Sequence, residues 1–109
     1  MRAPSAGSLD QRVSIQTEVR EPDGAGGYDV AWSTTATVWA DVMPVSGREH
    51  VQAGQLQGSA MYDVVIRNRA IAPAQRLLWG SVVLNIRHAP DPGARALYRT
   101  IRAEEGVAV

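Results

Sequence analysis

The chain has no cysteine, no lysine and no phenylalanine among its 109 residues, and its formal net charge is zero. Without cysteine there is no disulfide framework, no thiolate nucleophile and no cysteine-built metal site. The cytoplasm is the compartment such a composition fits. No apolar run approaches the ~20 residues that a membrane-spanning helix needs, so a membrane partner is not expected. The segment from Met1 to Ser8 carries one positive charge with no apolar stretch behind it, so it reads as a flexible arm over residues 1–8 rather than a secretory signal. All 11 basic residues are arginine, and 11 acidic residues offset them. Arginine in place of lysine fits phosphate recognition. It also fits a GC-rich genome, and the missing phenylalanine agrees with that second reading while having no bearing on phosphate. A dedicated nucleic-acid binder carries a clear basic excess, which this chain does not.

What is present is β-pattern. Arg12 to Arg20 alternates, with Val13, Ile15, Thr17 and Val19 on one face and polar residues on the other. Pro22, Asp23, Gly24, Gly26 and Gly27 supply a turn, and the segment from Tyr28 to Met43 returns as a second strand whose even positions, Tyr28 through Val42, would share a face. That segment is long for one strand, so Ser33-Thr34-Thr35 is expected to bend or bulge it. Ser46-Gly47-Arg48-Glu49 has capping-box spacing, which predicts a short helix from about Gly47 to Gln52, followed by a long connection through Ser59.

A third strand is expected from Ala60 to Arg69, with Tyr62, Val64 and Ile66 inward and Asp63, Arg67 and Arg69 outward. Gly80-Ser81 has the form of a two-residue type II′ turn pairing a fourth and a fifth strand. The content of Arg95 to Ala103 favours a last strand over a helix, leaving 104–109 as a tail. The expected fold is therefore mainly all-β, a small antiparallel β-barrel of about six strands over residues 9–103 with one short helix between strands 2 and 3.

Catalytic chemistry has no marker here. The run Gly24-Ala25-Gly26-Gly27 leads into a strand rather than a helix, so it reads as a turn and not a phosphate cradle. His50 and His88 are isolated, whereas a metal site needs three or four convergent ligands. Glu104-Glu105 read as solvated charge, and no cofactor is implied. Trp32, Trp39 and Trp79 read as core or interface anchors, or as a stacking platform for single-stranded nucleic acid. Parity places Trp39 opposite to Val38 and Val42, on the outer face.

The order of Leu9, Arg12-Val13-Ser14-Ile15-Gln16, Asp23-Gly24-Ala25-Gly26-Gly27, Trp32, Val38-Trp39-Ala40-Asp41-Val42, Pro44, Ser46-Gly47-Arg48-Glu49, Val64-Val65-Ile66-Arg67, Arg76-Leu77-Leu78-Trp79-Gly80, Leu84-Asn85-Ile86 and Asp91 resembles the head-tail joining, or head-closure (stopper), proteins of long-tailed bacteriophages and gene-transfer particles. The resemblance covers roughly residues 9 to 105. It implies a non-enzymatic virion protein, assembled in the bacterial host cytoplasm, that forms a ring of six or twelve copies in the neck. Such a ring closes the DNA exit channel after packaging and docks the tail. The implied partners are the portal or adaptor, a tail-terminator or tail tube protein, and packaged double-stranded DNA in passing. In the relatives the long loop faces the channel, which assigns Ser46, Arg48, Glu49, His50, Gln52, Gln55 and Gln57 to that role here. Trp39, Asp41, Arg67 and Arg69 are the candidate subunit contacts. Rival readings are a tail-terminator or other connector ring component, an OB-like single-stranded nucleic-acid module, and, more distantly, a hydrolase.

Overall fold

A computed structural model describes residues 6–45 and 60–106. After a turn of 3-10 helix at Ala6–Ser8 come six strands: β1 (Gln11–Pro22), β2 (Tyr28–Pro44), β3 (Met61–Arg67), β4 (Gln75–Trp79), β5 (Val82–His88) and β6 (Tyr98–Gly106). All neighbouring pairs are antiparallel, and the sheet closes in the order β1-β2-β3-β6-β5-β4. The barrel expected from the sequence is thus the fold. The helix expected near Gly47 to Gln52 lies outside the described residues.

Alternation sets which side chains fill the barrel. Val13 and Ile15 of β1, Val64 and Ile66 of β3, Leu77 of β4 and Leu84 of β5 are all fully buried in one cluster. Branched residues suit this geometry because their stiff side chains stand off a pleated surface and pack against cross-strand neighbours. Leu77 lies opposite both Ile15 and Leu84, so one interior layer runs through three adjacent strands.

A long side chain stands at each end of the barrel. Trp79 packs edge-on against Tyr62, with ring centroids 5.5 Å apart, and its Nε1 donates to Gln11 Oε1 at 3.2 Å. At the other mouth Arg99 lies opposite Ile66 and donates to the Arg69 carbonyl at 3.2 Å and to the Ala89 carbonyl. Arg99 thereby ties the β3–β4 connection to the β5–β6 connection. Its buried Nε has no hydrogen-bond partner among the described residues.

The β1–β2 hairpin outgrows the barrel. β1 pairs with β4 only through Ser14 to Thr17, and β2 pairs with β3 only from Ala40 to Pro44. The remainder of the hairpin is a two-stranded ribbon, and the molecule measures 50 × 34 × 25 Å as a result. Its turn is set by Asp23, whose Oδ1 accepts the Ala25 N–H at 2.8 Å and the Gly27 N–H at 3.0 Å. Gly24 and Gly26 hold φ of 80° and 85° in that turn, conformations a side chain disfavours.

The expected bulge is at Thr35. Pairing passes from Ile15↔Ala36 to Gln16↔Thr34, so Thr35 has no partner across the ladder. One extra residue reverses the facing of everything before it. Ala36, Val38 and Ala40 face inward with Ile15 and Val13, whereas Trp32, Val30 and Tyr28 share the outer face with Glu18, Arg20 and Pro22. The expectation that even positions hold one face from Tyr28 to Val42 therefore fails at Thr35, and Trp32 is not a core anchor.

The outward facing expected of Asp63 holds, and the tail expected from residue 104 is corrected. Asp63 faces outward on β3 yet is buried, because Arg102 lies directly across the ladder and binds it with two hydrogen bonds, Nε to Oδ1 at 2.8 Å and Nη2 to Oδ2 at 2.9 Å. Residues 104–106 are strand rather than tail: Glu104 is buried between Met61 and Asn85, and accepts from Arg87 Nε at 2.7 Å. An unpaired carboxylate would not stay buried there, so the arginine is what permits the strand to continue.

Candidate functional site

The distinctive features of the described residues lie on the surface. Among the described residues, no group of three or more His, Asp or Glu side chains could hold a metal ion, and no helix is long and apolar enough to cross a membrane.

The outer face of the long hairpin carries an unusual amount of aromatic and apolar surface. Trp39 is 52% exposed, Tyr28 66% and Val30 50%. β-structure puts these residues there through the Thr35 bulge, which brings residues from both halves of β2 onto one face. Trp39 lies across the ladder from Arg12, whose guanidinium carbon stands 4.7 Å from the ring centroid. This cation–π contact holds the indole flat without covering it, since half its surface remains open. Beside it, Leu9, Asp10, Val38, Trp39 and Arg67 line a hollow of about 570 Å³ at the point where β2 parts from β3. Arg67, exposed at the end of β3, approaches Tyr98 on β6, 5.9 Å from its ring centroid.

Of the four contacts expected from sequence, Trp39 and Arg67 meet at this hollow. Arg69 is exposed in the following connection, and its carbonyl accepts from Arg99. Asp41 is 2% exposed and lies opposite Val65, so a subunit-contact role for its side chain has no surface to act through. Ser46, Arg48, Glu49, His50, Gln52, Gln55 and Gln57 lie outside the described residues.

Trp32 has a different setting. It covers Arg76, whose guanidinium carbon is 4.1 Å from the ring centroid, and Arg76 Nε donates to Gln16 Oε1 at 2.9 Å. Removal from water lowers the Arg76 pKa from its ordinary value, yet a guanidinium stays protonated in proteins. Trp32 therefore acts as a lid on a buried cation on the outside of the barrel. A tryptophan so engaged is not a free stacking platform.

The projecting ribbon, Val19 to Ala31, was not singled out from sequence. The signal available was length: the first two strands are 12 and 17 residues, and no later strand among the described residues exceeds nine. Partners that short leave the ends of β1 and β2 uncovered.

These features match a known group of proteins. The phage head completion protein family matches residues 4–106. The chain belongs to that family. Solved structures are similar to this chain over nearly their whole length, two of them as follows. Protein SF1141 from Shigella flexneri 2a is 29% identical, with 94% of this chain and 97% of that one covered, at a TM-score of 0.71. A chain of the virion of a native gene transfer agent particle is also 29% identical, with 92% and 97% covered, at a TM-score of 0.65. A comparison with curated proteins finds no match. The resemblance read from the motif order thus holds, and the chain is a structural, virion-associated component.

Proposed function

We propose that this protein forms a ring in the neck of a phage or gene-transfer particle, closes the DNA exit channel after packaging and presents the docking surface for the tail. The observation that carries this reading is the family match across residues 4–106, together with the likeness to a gene transfer agent virion chain. The physical features support it. A ring needs heterologous contacts between copies, and the open hollow at Trp39 and Arg67 offers one half of such a contact. The zero net charge suits a channel through which DNA must pass without being held, because tight phosphate binding requires a basic surface. The connection from Pro44 through Gly58 is assigned to the channel side, with the portal or adaptor and a tail component as neighbours.

Deletion of the gene is expected to give heads that fill with DNA, leak it and lack tails. Tailed, infectious particles from the deletion strain would overturn the reading. Shortening the segment from Ala53 to Ser59 is expected to leave folding intact and impair DNA retention; normal retention would remove the channel assignment alone.

A further inference from the structure

Residues 67–102 carry seven arginines and a single carboxylate, that of Asp91. Three of these arginines are already partnered: Arg76 by Gln16 and Trp32, Arg87 by Glu104, and Arg102 by Asp63. Arg69 and Arg99 differ, since neither forms an ion pair with any described residue. Together they line a pocket of about 450 Å³ between the β3–β4 and β5–β6 connections, with Asn68 and Asp91 in its wall. Arg99 is half-buried there. Its Nη1 and Nη2 donate to the Arg69 and Ala89 carbonyls, which satisfy hydrogen bonds without balancing charge, and its Nε has no acceptor among the described residues. A guanidinium drawn out of water without a counter-ion is destabilising, and a bound anion would offset that cost.

The wall of the pocket is fixed in advance. Asn68 Nδ2 donates to the Gly93 carbonyl at 3.0 Å and to the Ala96 carbonyl at 3.1 Å, while the Asn68 N–H donates to the Leu97 carbonyl at 2.9 Å. Asp91 Oδ1 accepts the Gly93 N–H at 2.9 Å, so this carboxylate is engaged in its own turn and pairs with neither arginine. Two cations and one anion leave the pocket with one positive charge. Its complement is a monoanion, and the exposed fork of Arg69 suits a planar one that accepts two parallel N–H bonds.

We propose that this pocket binds a carboxylate, and that in the assembled particle an Asp or Glu side chain of a neighbouring protein supplies it. A DNA duplex suits it less, because duplex affinity comes from neutralising several phosphates at once, whereas this pocket sets two cations beside the exposed carboxylate of Asp91. Carboxylate binding here does not depend on the ring reading above.

The probe is sodium acetate, titrated into the purified chain and followed by NMR on the Arg99 Nε–H signal. Two charge-assisted hydrogen bonds place half-saturation at about 10 mM. Sodium chloride at matched ionic strength is expected to give no saturable shift. Arg69→Gln, a change at an exposed side chain, is expected to keep the wild-type melting temperature and weaken acetate binding about two- to fivefold. Absence of a saturable acetate shift, or an unchanged curve in Arg69→Gln, overturns the site. A short DNA duplex that saturates the signal at lower concentration than acetate overturns the carboxylate assignment in favour of phosphate. The source is tested in particles: Arg69→Glu is expected to be incorporated several-fold less than the wild type by blotting, while Arg95→Glu, the same charge change on an exposed arginine outside the pocket, is incorporated normally. Wild-type incorporation of Arg69→Glu, or an equal loss in both variants, overturns the neighbouring protein as the source and leaves the acetate result to decide the pocket.

Discussion

Leu77 is the residue on which the interior layer converges, since it faces Ile15 on one side and Leu84 on the other with no solvent access. Leu77→Ala is expected to cost about 2–5 kcal/mol, the range for a buried leucine whose cavity cannot collapse, measured by denaturant unfolding. Asp63→Ala removes two hydrogen bonds from Arg102 and is expected to cost about 2 kcal/mol. A change below about 0.5 kcal/mol would mean that solvent already screens the pair. Individual residues were unevenly legible in the sequence. Val13, Ile15, Tyr62, Val64 and Ile66 follow from alternation alone, because period two leaves only one face for a core. Asp63 and Glu104 did not, since their burial depends on Arg102 and Arg87 arriving from a neighbouring strand, and no local pattern encodes that meeting. Trp39 was placed correctly outward by parity, whereas Trp32, seven residues earlier on the same strand, was misplaced by the bulge between them.

At the scale of elements, Thr35 and Asp23 govern the hairpin. Removing Thr35 leaves both flanking registers compatible, because Ile15↔Ala36 and Gln16↔Thr34 become consecutive pairs in a regular ladder. The Thr35 deletion is therefore expected to fold with near wild-type stability while sending the ribbon off in a different direction. Loss of particle incorporation by a well-folded deletion variant would show that the angle of the ribbon, and not only its residues, matters for assembly. Asp23 adds a pH dependence. Its folded pKa lies below the ordinary carboxylate value, so the turn gains from the ionised form above about pH 4 and loses that gain as the pH falls through the depressed folded value. Hydrogen exchange at the Ala25 and Gly27 amides is expected to be faster in Asp23→Ala than in the wild type at neutral pH, with the difference vanishing in strong acid. The strands and the Gly80-Ser81 turn were legible because turn chemistry is local: Gly80 takes φ of 60° and Ser81 does not go positive, as a type II′ turn requires. Strand ends were less so, since β6 runs to Gly106 only because β3 and β5 remain beside it.

For the whole molecule, the six-stranded closure and the family were both readable, the first from six β-segments separated by turn signals and the second from the order of short motifs. The projecting ribbon was not, because it follows from the difference in length between hydrogen-bonded neighbours, a property of the assembled sheet. Closure has a consequence for the life of the protein before assembly. Every strand of the barrel already has a neighbour on both sides, so among the described residues the ribbon offers the long unpaired backbone edges. Among the described residues, adventitious strand addition, the usual route from a β-protein to insoluble aggregate, is confined to that one segment, where Glu21, Asp23 and Asp29 set like charges against each other in any ribbon-to-ribbon encounter. A subunit waiting for its place in a particle is thereby kept from polymerising with its own kind through the edge it exposes.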